Sequence, residues 1–296
     1  MKSIDSVIKD IKSLKIQGAN AVALSSVEAL RDAVKPDSNE IEKLEEYAKK
    51  LILSRPTEPF LRNCISYIQH NFKKDGEDIR DSCDYVIAHI KDSDKLIAEI
   101  GENKIKDGMS VFTHCHSSTV MSILKLAKDK GKNFIVYNTE TRPFFQGRTT
   151  AKELADYGIE VSHMVDSAGR IGIKKADMAL IGCDAITSEG RVINKIGSEL
   201  FAEIASRYDV PFYVCSDSWK LDPASVFGFE EEIEQRNPDE VWEKRPKNVT
   251  IFNPAFEIIN PGLVTGIISE MGVFRPELFV DEVQEKYPFL FLNQKI

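Results

Sequence analysis

The sequence predicts an α/β protein, with a helical domain over residues 1–105 and a doubly wound, mostly parallel Rossmann-like sheet domain over residues 106–296. Three observations predict it. Apolar residues recur at helical spacing through the first hundred positions. After Asp107-Gly108 the pattern changes to short apolar runs separated by helical stretches, the alternation expected of a parallel sheet with right-handed crossovers. The residues able to do chemistry collect just beyond the carboxyl ends of those runs, where open α/β sheets hold ligands.

The elements follow in order. Ile4, Val7, Ile8, Ile11 and Leu14 mark a first helix, which stops at Lys15-Ile16-Gln17-Gly18-Ala19-Asn20, a candidate backbone loop. Val22, Leu24, Val27 and Leu30 mark a second. Pro36-Asp37 with Glu40 resembles a capping-box start for a third, which carries Ile41, Leu44, Ala48, Leu51 and Ile52 and ends at Ser54-Arg55-Pro56-Thr57. Two more helices are predicted over about 57–72 and 77–102. Residues 109–114 then form a strand, followed by a helix over 117–130. Strands are predicted at 134–137, 161–165, 179–181 and 211–215, with 250–252 a candidate last strand. A short strand at 191–194 precedes Lys195, which opens a helix carrying Ile196, Leu200 and Ile204. Between Asp222 and Lys247 an acidic, proline-containing segment with Glu230-Glu231-Glu232 has weak periodicity and is read as a lid or an oligomer contact.

Composition narrows the function classes. A net charge of −8 argues against nucleic acid as a bulk partner, because a phosphate backbone is met by a basic surface. No apolar run is long enough to span a membrane, and Met1-Lys2-Ser3-Ile4-Asp5 does not begin a secretion signal, so neither membrane nor export is expected. The cysteines at 64, 83, 115, 183 and 215 are odd in number and fit no CxxC spacing, which points to a reducing cytoplasm.

Four stretches carry candidate chemistry. Thr113-His114-Cys115-His116-Ser117-Ser118-Thr119 ends the first predicted strand and opens a helix, whose dipole and free amides are expected to lower the Cys115 pKa and favour a thiolate. A buried, inert cysteine is the plainer alternative. His-Cys-His also invites a metal, but strand alternation sets His114 and His116 opposite Cys115 and no second pair has ligand spacing, so no metal is predicted. Residues 138–150, with Arg142, Gln146 and Arg148, suit an anion cradle, an interface loop or a polar turn equally. Asp184 falls just past the run at 178–181, and Asn194 and Lys195 follow it at a predicted helix start; a capped turn and a surface lysine are the bland reading. Lys220 follows another strand end. No GxGxxG follows a strand, and GxxxxGK[ST] and Gly-x-Ser-x-Gly are absent, so no bound cofactor is predicted. A thiol, a carboxyl and several cations suit proton transfer on a phosphorylated metabolite.

In this order of motifs the chain resembles the superfamily that joins the regulatory subunits of translation initiation factor 2B to methylthioribose-1-phosphate isomerase and archaeal ribose-1,5-bisphosphate isomerase. The resemblance rests on Lys15-Ile16-Gln17-Gly18-Ala19, Arg55-Pro56-Thr57, Thr113 to Ser118, Glu140-Thr141-Arg142-Pro143, Gly182-Cys183-Asp184-Ala185-Ile186, Asn194-Lys195-Ile196-Gly197 and Asn253-Pro254-Ala255-Phe256. It is most similar to the bisphosphate isomerase branch. The resemblance implies Cys115 as base and Asp184 as acid, and substrate binding by Gln17, Gly18, Ala19, Asn20, Arg55, Ser117, Ser118, Thr119, Asn194, Lys195 and Lys220, with Arg142 a further candidate. It implies a phosphorylated pentose substrate in AMP salvage, AMP as a candidate activator, and a homo-oligomer of two or six chains. The isomerases have Arg-Gly-Ala where this chain has Gln17-Gly18-Ala19, which removes one expected phosphate contact. A non-catalytic regulatory relative, or an isomerase of another pentose such as methylthioribose 1-phosphate, is the alternative.

Overall fold

The computed structural model describes residues 3–34, 40–56, 58–75, 78–227 and 233–291. The predicted helix start at Pro36-Asp37, Thr57 and the acidic run Glu230-Glu231-Glu232 lie outside the described residues. Five helices come first: α1 (Ile4–Lys12), α2 (Ala19–Ala33), α3 (Glu40–Ile52), α4 (Pro59–Asp75) and α5 (Ile79–Glu102). Their ends obey local chemistry. Ser3 caps α1 by accepting from Ser6 N, and Asp78 caps α5 by accepting from Arg80 N, each satisfying an amide that has no partner within the helix. Their inward stripes, among them Val22, Val27, Leu30, Phe60, Ile65 and Val86, are almost fully buried.

The remainder is strand-rich: β1 (Ser110–Thr113), α6 (Ser118–Asp129), β2 (Ile135–Thr139), α7 (Gln146–Asp156), β3 (Glu160–Met164), α8 (Gly169–Ile173) and β4 (Met178–Ile181). After these come β5 (Ala185–Thr187), β6 (Val192–Lys195), α9 (Ser198–Arg207), β7 (Phe212–Cys215), β8 (Leu221–Asp222) and α10 (Asp239–Trp242). The last are β9 (Phe256–Ile259), β10 (Gly266–Ser269), β11 (Gly272–Phe274) and α11 (Pro276–Lys286). Seven strands form one sheet in the order β11-β10-β7-β4-β1-β2-β3, parallel except for the β10/β11 hairpin. Its central strands β1, β4 and β7 read as short apolar runs because both faces are covered. Val111, Met178 and Leu180 join a core with α6, whereas Phe112, Ala179 and Ile181 join the core that includes the N-terminal helices.

The chain winds outward from β1 through β2 to β3, then returns to β4 on the other side of β1 and winds away through β7 and β10. The order therefore reverses between β1 and β4, and a crevice opens at their carboxyl ends. A second, four-stranded sheet, β8-β5-β6-β9, rises from that edge. It is joined to the first sheet by residues 182–184.

Two expectations are corrected. Residues 250–252 are not a strand; Phe252 is 78% exposed, and the pairing strand is β9, four residues later. Lys195 ends a strand instead of opening a helix, paired with Phe256, and α9 begins only after Gly197. The helix buries Phe201, Ala202 and Ala205, while Leu200, which suggested the earlier start, is exposed. Strands β10 and β11 and helix α11 were not anticipated.

Candidate active site

The crevice at the switch point is a cavity of about 560 Å³. Its floor is the carboxyl edge of β1 and β4. β1 supplies residues 114–119 and β4 supplies 182–184, so Cys115 and Asp184 enter the same space from adjacent strands. A side chain at Gly182 would stand 2.6 Å from Ser117 Oγ, so only glycine lets these two loops touch. Asp184 is fixed through its backbone, which donates to Ile193 O at 3.0 Å.

Cys115 adopts a left-handed backbone, φ 65°. Its amide donates to Thr141 Oγ1 at 3.0 Å, and its carbonyl accepts from Thr150 Oγ1 at 2.8 Å. The strand ends at Thr113, so strand alternation does not govern where Cys115 and His116 point. Although the residue is only half-buried, the surroundings of the thiol exclude enough water to push its pKa up to about 11, with Lys195 and the His116 amide pulling the other way. This reverses the expectation of an activated thiolate. The cap of α6 is Ser117, which accepts from Val120 N, and Cys115 lies outside that turn.

His114 is a tie. Its Nε2 lies 2.9 Å from Ile196 O, an acceptor, so this nitrogen carries the proton, and Nδ1 accepts from Thr139 Oγ1 at 2.6 Å. Burial holds its pKa down at about 4. The ring thereby links the loop of Cys115 to that of Lys195 as a neutral imidazole.

Cations ring the cavity. Arg55 and Lys195 both face the Phe256 ring, at 6.0 and 4.8 Å from its centre. Lys220 is buried and donates to Cys183 O at 2.9 Å. The amino end of α2 forms the opposite wall. Gly18, φ 82°, is its cap residue and offers no side-chain bond, so the amides of the first turn are unclaimed and favour an anion. Beside them Asn20 Oδ1 is buried without a hydrogen-bond partner, an acceptor suited to a hydroxyl.

Of the sequence-predicted residues, Gln17, Gly18, Ala19, Asn20, Arg55, Cys115, Ser117, Ser118, Thr119, Asp184, Asn194, Lys195 and Lys220 line this cavity. Arg142 does not. Its loop is fixed by Asp166, which accepts from the amides of Thr141 and Arg142, and its guanidinium donates outward to Val241 O at 3.3 Å. Sequence reasoning missed Arg236 and Phe256, which also line the cavity. Arg236 comes from the weakly periodic 222–247 segment, where its amide donates to Asn253 O. The available signal was the quoted Asn253-Pro254 motif, onto which that segment docks.

A switch-point crevice with this order of loops invites comparison with known proteins. A model of the initiation factor 2 subunit family matches residues 15–276. The chain belongs to that family. Within it, the chain is similar to a ribose 1,5-bisphosphate isomerase of Thermococcus kodakarensis, 36% identical over 97% of this chain and 95% of the relative. It is similar to a protein of the same name from Methanocaldococcus jannaschii, 37% identical over 94% and 93%. Among solved structures it resembles the translation initiation factor eIF-2B of Pyrococcus horikoshii OT3, with a TM-score of 0.82 and 27% identity over 94% of this chain and 98% of that one. The family thus includes proteins named as enzymes and proteins named as translation factors. No helix among the described residues is long and apolar enough to cross a membrane.

Proposed function

We propose that the chain is a sugar-phosphate aldose-ketose isomerase that converts ribose 1,5-bisphosphate to ribulose 1,5-bisphosphate, with Cys115 and Asp184 as its acid-base pair. One observation carries the reading: thiol and carboxyl enter one cavity from the two strands at the switch point, ringed by Arg55, Lys195 and Lys220. The names of the archaeal relatives support the substrate. A turnover assay on purified protein with a panel of phosphorylated pentoses tests it. No conversion of ribose 1,5-bisphosphate, with AMP present, would sink it in favour of a regulatory role.

The chemistry follows from the substrate. A phosphate on the anomeric oxygen prevents ring opening to a free aldehyde. The base instead takes the proton on C2, the electron pair forms the C1–C2 double bond, the C1–O4 bond breaks, and O4 takes a proton from the acid. The enol phosphate is then protonated on C1 as the 2-hydroxyl loses its proton, giving the ketose. The resemblance assigns the base to Cys115 and the acid to Asp184. The protonated resting thiol favours a second reading in which the roles are exchanged. A thiolate base gives kcat/KM that climbs about tenfold per pH unit above neutrality, toward the thiol's pKa. A thiol acid gives a profile that is flat there and falls only near pH 11.

The same reading puts the reaction in AMP salvage in the cytoplasm, with AMP as activator. It divides the chain at about residue 105 into a helical domain and a site-bearing sheet domain, through which two or six copies associate. Sedimentation of a single-chain species alone at micromolar concentration would refute the assembly.

A further inference from the structure

One carboxyl behind the cavity has no part in this chemistry. Glu58, just before α4, is 2% exposed. Its Oε2 pairs with Arg55 Nε at 3.3 Å, while its Oε1 is buried with no hydrogen-bond partner. An unpartnered buried acceptor costs stability, so a residue kept there for packing alone would be an apolar side chain. The charged groups facing it are Arg55 from the same loop, Arg62 from α4, Asp184 beyond β4 and Lys220 after β7. Arg62 is engaged elsewhere, with Asp222 and Pro56 O. The other three line the cavity. Burial pushes the Glu58 carboxyl up to about 7 against the pull of Arg55, and Asp184 adds to the rise.

Arg55 therefore faces two anions, the Glu58 carboxylate behind it and any phosphate in the cavity. We propose that Glu58 is a positioning residue that holds Arg55 while the cavity is empty and takes up a proton when Arg55 turns to a bound phosphate. Phosphate binding and proton uptake are then coupled through a group that touches no substrate atom. The physical reason is charge. When Arg55 leaves, the buried carboxylate loses the cation nearest to it, and the incoming phosphate adds negative charge, so the neutral form wins. The inference rests on the isomerase reading only for which phosphate ester binds.

Titration calorimetry in two buffers of different ionisation heat, at pH 7.5, counts the protons. The probes are inorganic phosphate and D-ribulose 1,5-bisphosphate; the proteins are wild type, Glu58→Gln and Glu58→Asp. Wild type should take up about half a proton more per phosphate than Glu58→Gln, the phosphate's own ionisation cancelling in the difference. Glu58→Gln should bind phosphate about 3- to 10-fold more tightly than wild type at pH 8, where the native carboxylate competes for Arg55, and equally at pH 6. Glu58→Asp, which keeps the charge, should keep the uptake. Equal proton counts in wild type and Glu58→Gln overturn the proposal and leave the isomerase reading intact, as does loss of uptake in Glu58→Asp. Uptake with inorganic phosphate, but no binding of the bisphosphate, supports the coupling and overturns the isomerase reading instead. No binding by either probe overturns both.

Discussion

Two polar clusters meet at the segment after β7, and they are built on opposite principles. On one side Lys220 reaches the cavity of Cys115 and Asp184. On the other, Asp217 and Ser218 join His89 and Glu270. In that second cluster Asp217 Oδ1 accepts from Trp219 N at 2.8 Å and lies 3.3 Å from His89 Nε2. Glu270 accepts from both the amide and the hydroxyl of Ser218, and the His89 ring is stacked on Trp219 at 3.9 Å. Its titrations are as disturbed as those of the cavity. Burial pushes Glu270 up to about 7, Asp217 is held down by His89, and His89 is raised in return. Perturbed ionisation therefore does not tell a binding site from a structural network. The cavity has the bare first turn of α2 and the orphan acceptor Asn20 Oδ1 in its wall, whereas the second cluster ties its carboxylates to Ser218, Trp219 N and His89 and leaves one buried donor, Trp219 Nε1, without a partner.

The sharpest way to break this contrast is to mutate one member of each cluster and read both turnover and stability. Cys115→Ser and Asp184→Asn should each lower kcat by about 100- to 10,000-fold, with melting temperature and phosphate binding little changed. Asp217→Ala should do the converse, costing about 3–5 kcal/mol because it strips a buried imidazole of its charge partner, with activity lost only in step with folded protein. If Asp217→Ala abolished turnover in a fully folded enzyme, or Cys115→Ser unfolded it, the distinction would fail.

A smaller effect comes from pH. Glu270 has a folded pKa above its unfolded value of 4.5, so its contribution is full below that value and fades as the pH rises towards 7. His89, also raised, works in the same direction above 6.5, whereas Asp217, lowered, adds stability only above 3.8. The denaturation midpoint should fall between pH 5 and 8. Glu270→Gln should flatten that fall by roughly 1–2 kcal/mol, gaining at pH 8 and not at pH 5. Parallel curves for the two proteins would show that folding leaves the Glu270 pKa at its unfolded value.

The same contrast explains what could be read in the sequence. β1, β4 and β7 were legible because burial on both faces leaves a short apolar run, and a run's carboxyl end locates a site without any tertiary knowledge. β5, β8 and β9 were not, being two to four residues long and stabilised by a second sheet that the sequence does not announce. Cys115 was placed correctly and its ionisation was not, because desolvation depends on what surrounds the thiol, and helix-end amides can be recognised from sequence while that enclosure cannot. Arg142 carried the right chemistry but was turned away by Asp166, 24 residues on, and Arg236 was invisible because its segment folds only by docking on residues 253–254.

The smallest expected effect probes the open side alone. Gln17 is exposed at the cavity's edge, and its Nε2 donates to Leu14 O at 2.5 Å, so its amide is spent on its own loop and not turned to a ligand. The adjacent amides of α2 remain bare. Gln17→Arg would place a guanidinium beside them, where a phosphate could accept from both, and should lower KM for ribose 1,5-bisphosphate up to about tenfold with kcat unchanged. Ribose 1-phosphate, which lacks the second phosphate, is the control. A gain confined to the bisphosphate puts the 5-phosphate at this wall; an equal gain for both puts the 1-phosphate there. No gain for either would mean that the α2 terminus holds no phosphate, and that the unmet bonding capacity of this wall serves the sugar hydroxyls, through Asn20, instead.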